Sequence, residues 1–204
     1  MKRYLATSAA LALASGSAMA SGLDRTGQPI GIIFEEGTYA EFSFATTSVD
    51  LSGNDRTSLN PLGSASGDVG DRFNMFGAGY KRDINNQLSF AVIFDQPWGV
   101  DVLYPASGSA LLGGTKAQAD ATAVTALLRY KFNERFSAHG GIRYQEIDGE
   151  INLNGLAYSV IPGGTYNVKV DKDGAFGWVA GVAYEIPEIA LRAALTYSSE
   201  IEHD

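Results

Sequence analysis

The sequence predicts an all-β protein, specifically a transmembrane antiparallel β-barrel, on three observations. Long segments alternate apolar residues with polar or small ones, which is the period of strands that have two different faces. Short polar turns join these segments in pairs. A tyrosine closes the first strand of three such pairs, at Tyr80, Tyr130 and Tyr184. Membrane barrels combine this alternation with an aromatic girdle at the membrane interface.

Residues 1–20 have the three parts of a secretory signal peptide. Residues 1–3 are basic, residues 5–14 are apolar, and Ala18-Met19-Ala20 forms a small-x-small cleavage site, so we expect the mature chain to begin at Ser21. The apolar part is too short to span a bilayer as a helix, and no long apolar segment follows it. These features argue against a helical membrane protein and predict a barrel in the bacterial outer membrane.

Composition excludes several other classes of protein. The chain of 204 residues has a net charge of −8 and only 19% charged residues, which argues against a nucleic-acid partner. Cysteine is absent, so the chain has no disulfide, thiol nucleophile or cysteine-ligated metal. His139 and His203 stand in no metal-ligand spacing, and no G-x-S-x-G motif occurs. We therefore predict no catalytic residue, metal or cofactor.

The alternation predicts a partial barrel over residues 38–204 with about seven strands. Their predicted ranges are 38–52, 72–82, 88–104, 119–132, 136–150, 173–185 and 189–202. Strands of soluble proteins usually run about five or six residues, so these lengths favour the membrane barrel over a secreted β-sandwich. Bacterial barrels have an even number of strands, and an open strand edge is not tolerated in lipid. We therefore expect the reading frame to continue beyond Asp204.

Long glycine-rich and polar loops lie opposite the short turns, and some of them carry apolar side chains. Exposed apolar residues in an exported protein indicate either a hydrophobic ligand site or packing of the loops on one another. The candidates are Leu103, Tyr104, Leu111, Leu112, Leu156 and Tyr158, with Val160 and Ile161.

Two segments resemble the FadL-type outer-membrane transporters of long-chain fatty acids. The more specific is 171–204, in which the matching positions are Gly174, Gly177, Trp178, Gly181, Tyr184, Pro187, Arg192, Leu195, Tyr197, Ser199, Ile201 and His203. The looser is 21–44, which is similar to the segment that enters the barrel lumen in that family. The Asn-Pro-Ala motif that closes this segment in the family is missing, because Asn60-Pro61-Leu62 lies too late and in a polar loop.

The resemblance implies a fourteen-stranded barrel, of which the seven strands here are the N-terminal half, with a lumenal hatch over residues 21–37. It implies passive uptake of long-chain fatty acids or other hydrophobic compounds, captured by outer loops, held in the lumen and released laterally. The implied partners are hydrophobic small molecules, outer-membrane lipid and lipopolysaccharide. No chemical conversion is implied.

Candidate ligand contacts inside the barrel come from the hatch and from two arginines. The hatch offers Ile30, Ile32, Ile33 and Phe34, whose alternative role is plain packing. Alternation places Arg143 and Arg192 on the inner face, where a guanidinium suits a carboxylate. The alternative for both is pairing with Asp24, Glu35 or Glu36, since an unpaired charge inside a barrel is costly.

Two other functions compete with transport. A complete small barrel with a structural or adhesion role would need an eighth strand, for which 150–172 is the candidate. A barrel-embedded lipid hydrolase would need a catalytic triad outside these residues.

Overall fold

The computed structural model describes residues 24–158 and 165–203, which form strands and three short 3-10 helices. The signal peptide, Val160 and Ile161 lie outside the described residues. The strands are β1 (Thr38–Thr47), β2 (Phe73–Asp83), β3 (Leu88–Asp95), β4 (Gly99–Leu103), β5 (Lys116–Lys131), β6 (Phe136–Leu153), β7 (Tyr166–Ile186) and β8 (Leu191–Ser198). The 3-10 helices are Gly31–Phe34, Leu156–Tyr158 and Pro187–Ile189. Over these two described ranges, no helix has the length and apolar character needed to cross a membrane.

The strands form one antiparallel sheet in sequence order, β1-β2-β3-β5-β6-β7-β8, with β4 also paired to β5. Because β3 and β4 both lie along β5, they occupy one position, and the sheet has seven positions. The predicted all-β partial barrel of about seven strands is therefore confirmed. The described residues within 150–172 supply no eighth strand: 150–153 belong to β6 and 166–172 to β7, which pair as far as Leu153 and Tyr166.

Residues 88–104 were predicted to form one continuous strand, and this prediction was wrong because two strands occupy the range. β3 ends at Asp95 and β4 begins at Gly99, because Pro97 has no N–H to donate to a ladder. The β2–β3 ladder stops at the pair of Ala78 and Phe94. Beyond it, the Gln96 side chain accepts a hydrogen bond from the Phe76 N–H at 2.7 Å. We call the region in which β2 and residues 95–99 are no longer joined by this ladder the wall break.

The two faces of the sheet differ in the way that a membrane barrel requires. Ile142 is 60% exposed and its neighbour Arg143 is 3% exposed, as alternation predicted. The exposed face is apolar over many strands and includes Phe42, Leu128, Phe176, Val182 and Leu195. The opposite, inner face carries the buried apolar residues Ala91, Ile93, Leu127, Val179 and Ala183.

Tyrosines lie on the apolar outer face close to the short turns. Tyr80, Tyr130 and Tyr184 each lie within three residues of the end of their strand. Each is near a second aromatic ring: Phe90 at 5.9 Å, Phe132 at 5.4 Å and Phe136 at 4.8 Å between centroids. This arrangement matches the aromatic belt of a membrane interface.

The long strands reach further from the short turns than predicted. The strand predicted over 173–185 begins at Tyr166 as β7, so Asp171-Lys172-Asp173-Gly174 lies within it. A register shift between Ile147 and Gly149 accommodates the pairing at that level, as a β-bulge does.

Candidate functional site

The N-terminal segment, residues 24–37, lies against the inner face of the sheet. Gly27 and Gln28 both have positive φ, so the backbone turns just before Pro29. The 3-10 helix Gly31–Phe34 follows and packs on β2, β3 and β5. Its side chains form one apolar cluster with the inner residues of the strands.

This packing buries most of the hatch side chains that were predicted to contact a ligand. Ile32, Ile33 and Phe34 have exposures of 4%, 0% and 5%, and Ile30 is half-buried at the edge of the cluster. The structure brings these four residues together.

The start of the N-terminal segment reaches the wall break and is bonded there. Asp24 and Trp98 form an isolated antiparallel bridge, and the Arg25 N–H donates to the Pro97 carbonyl at 2.8 Å. The Arg25 Nη1 donates to Asp120 Oδ1 at 2.7 Å, and its guanidinium carbon lies 4.2 Å from the Phe73 ring centroid. Thr26 Oγ1 donates to Asp95 Oδ2 at 2.9 Å. The Pro97 carbonyl therefore finds its donor in this segment rather than in a neighbouring strand.

A cavity of about 220 Å³ opens beside these contacts, and we call it the wall cavity. Its lining combines inner-face residues with residues of the outer face at the end of the β2–β3 ladder. These are Thr26, Pro29, Glu41, Ser43, Ala45, Met75, Gly77, Ile93 and Asp95 from inside, with Phe76, Ala78 and Phe94 from outside. The wall cavity is thus lined by residues of both faces of the sheet.

The predicted arginines are inward but have strand partners. Arg143 Nε donates to Thr125 Oγ1 at 2.8 Å. Arg192 Nε donates to Glu185 Oε1 at 2.8 Å, and its Nη2 donates to the Phe34 carbonyl at 3.2 Å.

The acids of the N-terminal segment that we considered as ion-pair partners of these arginines were therefore the wrong ones. Among the described residues, neither arginine forms an ion pair with Asp24, Glu35 or Glu36. Glu185 is the carboxylate that Arg192 meets, because the two residues are opposite each other in the β7–β8 register.

Arg129 and Lys81 are inward cations near the short turns that the sequence analysis did not single out. Arg129 is 2% exposed and forms an ion pair with Glu185. The guanidinium groups of Arg129 and Arg192 lie 4.7 and 4.8 Å from the Phe34 ring centroid. Lys81 is 1% exposed and pairs with Asp83 at 2.5 Å. Alternation alone could have placed both inward, since each is one residue from a girdle tyrosine. A cavity of about 640 Å³ borders Phe34, Arg129, Glu185 and Arg192.

A separate cluster joins the loops at the opposite end of the strands. Asp55 accepts hydrogen bonds from the Ser109 hydroxyl and from the Ala110 and Leu111 backbone, the last two at 2.9 and 3.3 Å. The hydrogen bond from Ser109, with others from Asn60 and the two backbone amides, lowers the pKa of Asp55 despite some desolvation. Loop 48–72 is thereby tied to loop 104–115.

The predicted loop residues divide between covered and exposed positions. Tyr104 and Leu112 line a cavity of about 210 Å³ with Asp55 and Ser109. The Leu111 carbonyl accepts from the Ala157 N–H at 3.0 Å, which connects loop 104–115 to the 3-10 helix Leu156–Tyr158. Leu111 and Tyr158 are half-buried, whereas Leu103 and Leu156 are 46% and 63% exposed.

Replacing Asp55 by alanine is expected to loosen the loops without unfolding the sheet. The change leaves the Ala110 and Leu111 amides without their acceptor, so their hydrogen exchange should accelerate by about tenfold, the equivalent of one lost hydrogen bond. Exchange mass spectrometry of loop 104–115 measures this. Glu134→Ala, in a short turn at the other end, is the control and should leave that loop unchanged. Equal exchange in the two variants would contradict the role of Asp55.

The class of protein follows from this geometry. An antiparallel meander with an apolar outer face, an aromatic belt near its short turns and an inner face on which the N-terminal segment packs is an outer-membrane β-barrel. The chain belongs to the family described as outer membrane protein transport protein (OMPP1/FadL/TodX), whose model matches residues 3–204.

Among solved structures, a FadL homologue of Pseudomonas aeruginosa is similar with a TM-score of 0.53 and 16% sequence identity. The match covers 80% of this chain and 42% of that one, so this chain spans less than half the length of the solved protein. At this identity the likeness concerns the fold. Comparison with curated proteins gave no match.

Proposed function

We propose that the protein carries hydrophobic small molecules passively across the bacterial outer membrane, with no chemical conversion. The observation that supports this most directly is the wall cavity, which has lining residues from both faces of the sheet. A hydrophobic molecule that leaves through it passes from the inner face to lipid without crossing the charged cluster at Arg129 and Glu185. Family membership supports the same general activity.

Capture is proposed for the loop cluster at the other end. Leu103 and Leu156 are exposed apolar side chains. Leu103 precedes Tyr104, which lines a cavity with Leu112, and the Leu156 N–H donates to the Ala110 carbonyl of the same loop. Concave apolar surface with a few polar anchors is the usual form of a small-molecule site. The hydrogen bonds through Asp55 hold these loops in place.

The N-terminal segment is proposed as a plug that separates the two sites. Its helix Gly31–Phe34 packs on three strands, and Arg25 and Thr26 fix its start at the wall break. A contact between cargo and Ile30, at the half-buried edge of the cluster, requires less rearrangement than one with Ile33. The carboxylate-binding role of Arg143 and Arg192 stays a prediction, because both already have strand partners.

The outer face supports outer-membrane lipid as the surrounding medium. Phe42, Phe176 and Leu195 are 74%, 70% and 75% exposed, which is costly in water and favourable in lipid. Contact of the loops with lipopolysaccharide is part of the same proposal.

The transport proposal is tested by filling the wall cavity. Ser43 lines it from the inner face of β1, and the Ser43→Phe side chain would occupy much of its space. Thr47→Phe is the matched control on the same face of the same strand and outside the lining. In cells that express the full gene product, uptake of labelled decane should fall to near background for Ser43→Phe and persist for Thr47→Phe. Equal uptake by both variants, with normal heat-modifiable mobility, would exclude the wall cavity as the route.

A further inference from the structure

Asp95 has more hydrogen-bonding capacity than the described residues use. It is 4% exposed, and its Oδ2 accepts from Thr26 Oγ1 at 2.9 Å. Its Oδ1 is buried and has no partner among the described residues. A carboxylate has about four acceptor positions, and leaving a buried one unused costs free energy. A donor from another molecule would remove that cost.

The inward cation Arg143 does not supply this donor. Arg143 acts on Asp95 electrostatically, but the two residues form no ion pair in the part of the chain that the structure describes. Its Nε is bonded to Thr125 instead. Asp95 therefore keeps an acceptor available at the wall break, where rotation about its terminal torsion can turn either oxygen to the cavity it lines.

The wall cavity has the chemistry of an acceptor site. Its polar lining consists of the carboxylates Glu41 and Asp95 and the hydroxyls Thr26 and Ser43, and none of the described lining residues is lysine or arginine. The rest is apolar, including Ile93 and Phe76. A carboxylate group placed here would meet two like charges, whereas a neutral hydroxyl would find an acceptor.

We propose that the wall cavity binds neutral hydrophobic molecules that carry a hydrogen-bond donor, such as an aliphatic alcohol or a phenol, and that it rejects carboxylate anions. Asp95 is the acceptor that fixes the hydroxyl, and Glu41 adds to the rejection of anions. This inference rests on the proposed transport function and names the substrate class that passes the wall break.

The test compares three labelled probes of equal chain length: 1-decanol, decanoate and decane. Uptake is measured in cells that express the full gene product, after subtraction of uptake by cells that lack it. The uptake of decanol should exceed that of decanoate by at least about tenfold, the equivalent of one hydrogen bond to a charged acceptor. Asp95→Asn keeps the shape and removes the charge, so it should reduce the decanol-to-decanoate ratio by at least about fivefold. Glu41→Gln should also reduce the decanol-to-decanoate ratio. Glu188→Gln, at an exposed turn position, should leave that ratio unchanged.

Each result decides between the inference and its alternatives. A ratio near one in the unmodified protein, or an unchanged ratio in Asp95→Asn with normal heat-modifiable mobility, overturns the donor-selective site while leaving transport intact. No uptake of any probe above background overturns the transport function as well. If Asp95→Asn does not fold, the ratio in Glu41→Gln decides: a fall supports the site and an unchanged ratio overturns it.

Discussion

Replacing Glu185 by alanine is expected to destabilise the folded protein by about 3–5 kcal/mol, because the change leaves a buried charge without its partner. Arg129 is 2% exposed, and Glu185 Oε2 is its ion-pair partner. The other oxygen of Glu185 accepts from Arg192 at 2.8 Å. Without the carboxylate, two guanidinium groups would remain beside the Phe34 ring with no anion to pair with them. Urea unfolding in lipid vesicles, followed by heat-modifiable mobility, measures the loss.

The control for this prediction is Glu188→Ala. Glu188 is an exposed glutamate in the turn that follows, and its loss should change the free energy of unfolding by no more than about 0.5 kcal/mol. The double variant Arg129→Met with Glu185→Leu should recover most of the stability, because a well-packed apolar pair can replace a buried ion pair. Equal stability of Glu185→Ala and Glu188→Ala would show that water screens the pair.

The sequence was sufficient to predict which face of the strands is apolar and exposed. Period-two alternation is a local property, so Ile142 and Arg143 could be assigned to opposite faces without knowing their neighbours. The pairing of β2 with β3, β5 with β6 and β7 with β8 followed as well, because a short turn joins the strands of each pair. The wall break was missed although Pro97 marked it, because the alternation of β3 resumes in β4 and hides the interruption.

The candidate site was predicted less well, because its contacts join distant parts of the chain. Thr26 and Asp95 are 69 positions apart, and their hydrogen bond depends on where the N-terminal segment lies. Arg192 was expected to meet acids of that segment, but the β7–β8 register puts Glu185 opposite it. Neither fact is visible before the pairing of the strands is known.

Replacing Val124 by arginine is expected to destabilise the folded protein by about 2–4 kcal/mol, the cost of a cation on the lipid face near the bilayer midplane. Val124 is 42% exposed on the outer face of β5 and lies between Phe94 and Tyr144 in the register. Tyr130 of the aromatic belt lies six residues further along the same strand. That distance is about 20 Å along the strand, so with the usual tilt Val124 lies deep in the hydrocarbon. Urea unfolding in vesicles measures the cost.

Phe132→Arg is the matched control, because Phe132 is 60% exposed just beyond the end of β5, next to Tyr130. At the interface an arginine reaches water and lipid headgroups, so this change should cost only about 0–1 kcal/mol. The difference between the two variants depends on depth in a bilayer. A soluble sheet would accept an arginine at either exposed position with little loss, since both side chains would point into water. Equal, small costs at Val124 and Phe132 would therefore contradict the assignment of the apolar face to lipid. A larger cost at Val124, present in vesicles and reduced in a thinner bilayer, would support it.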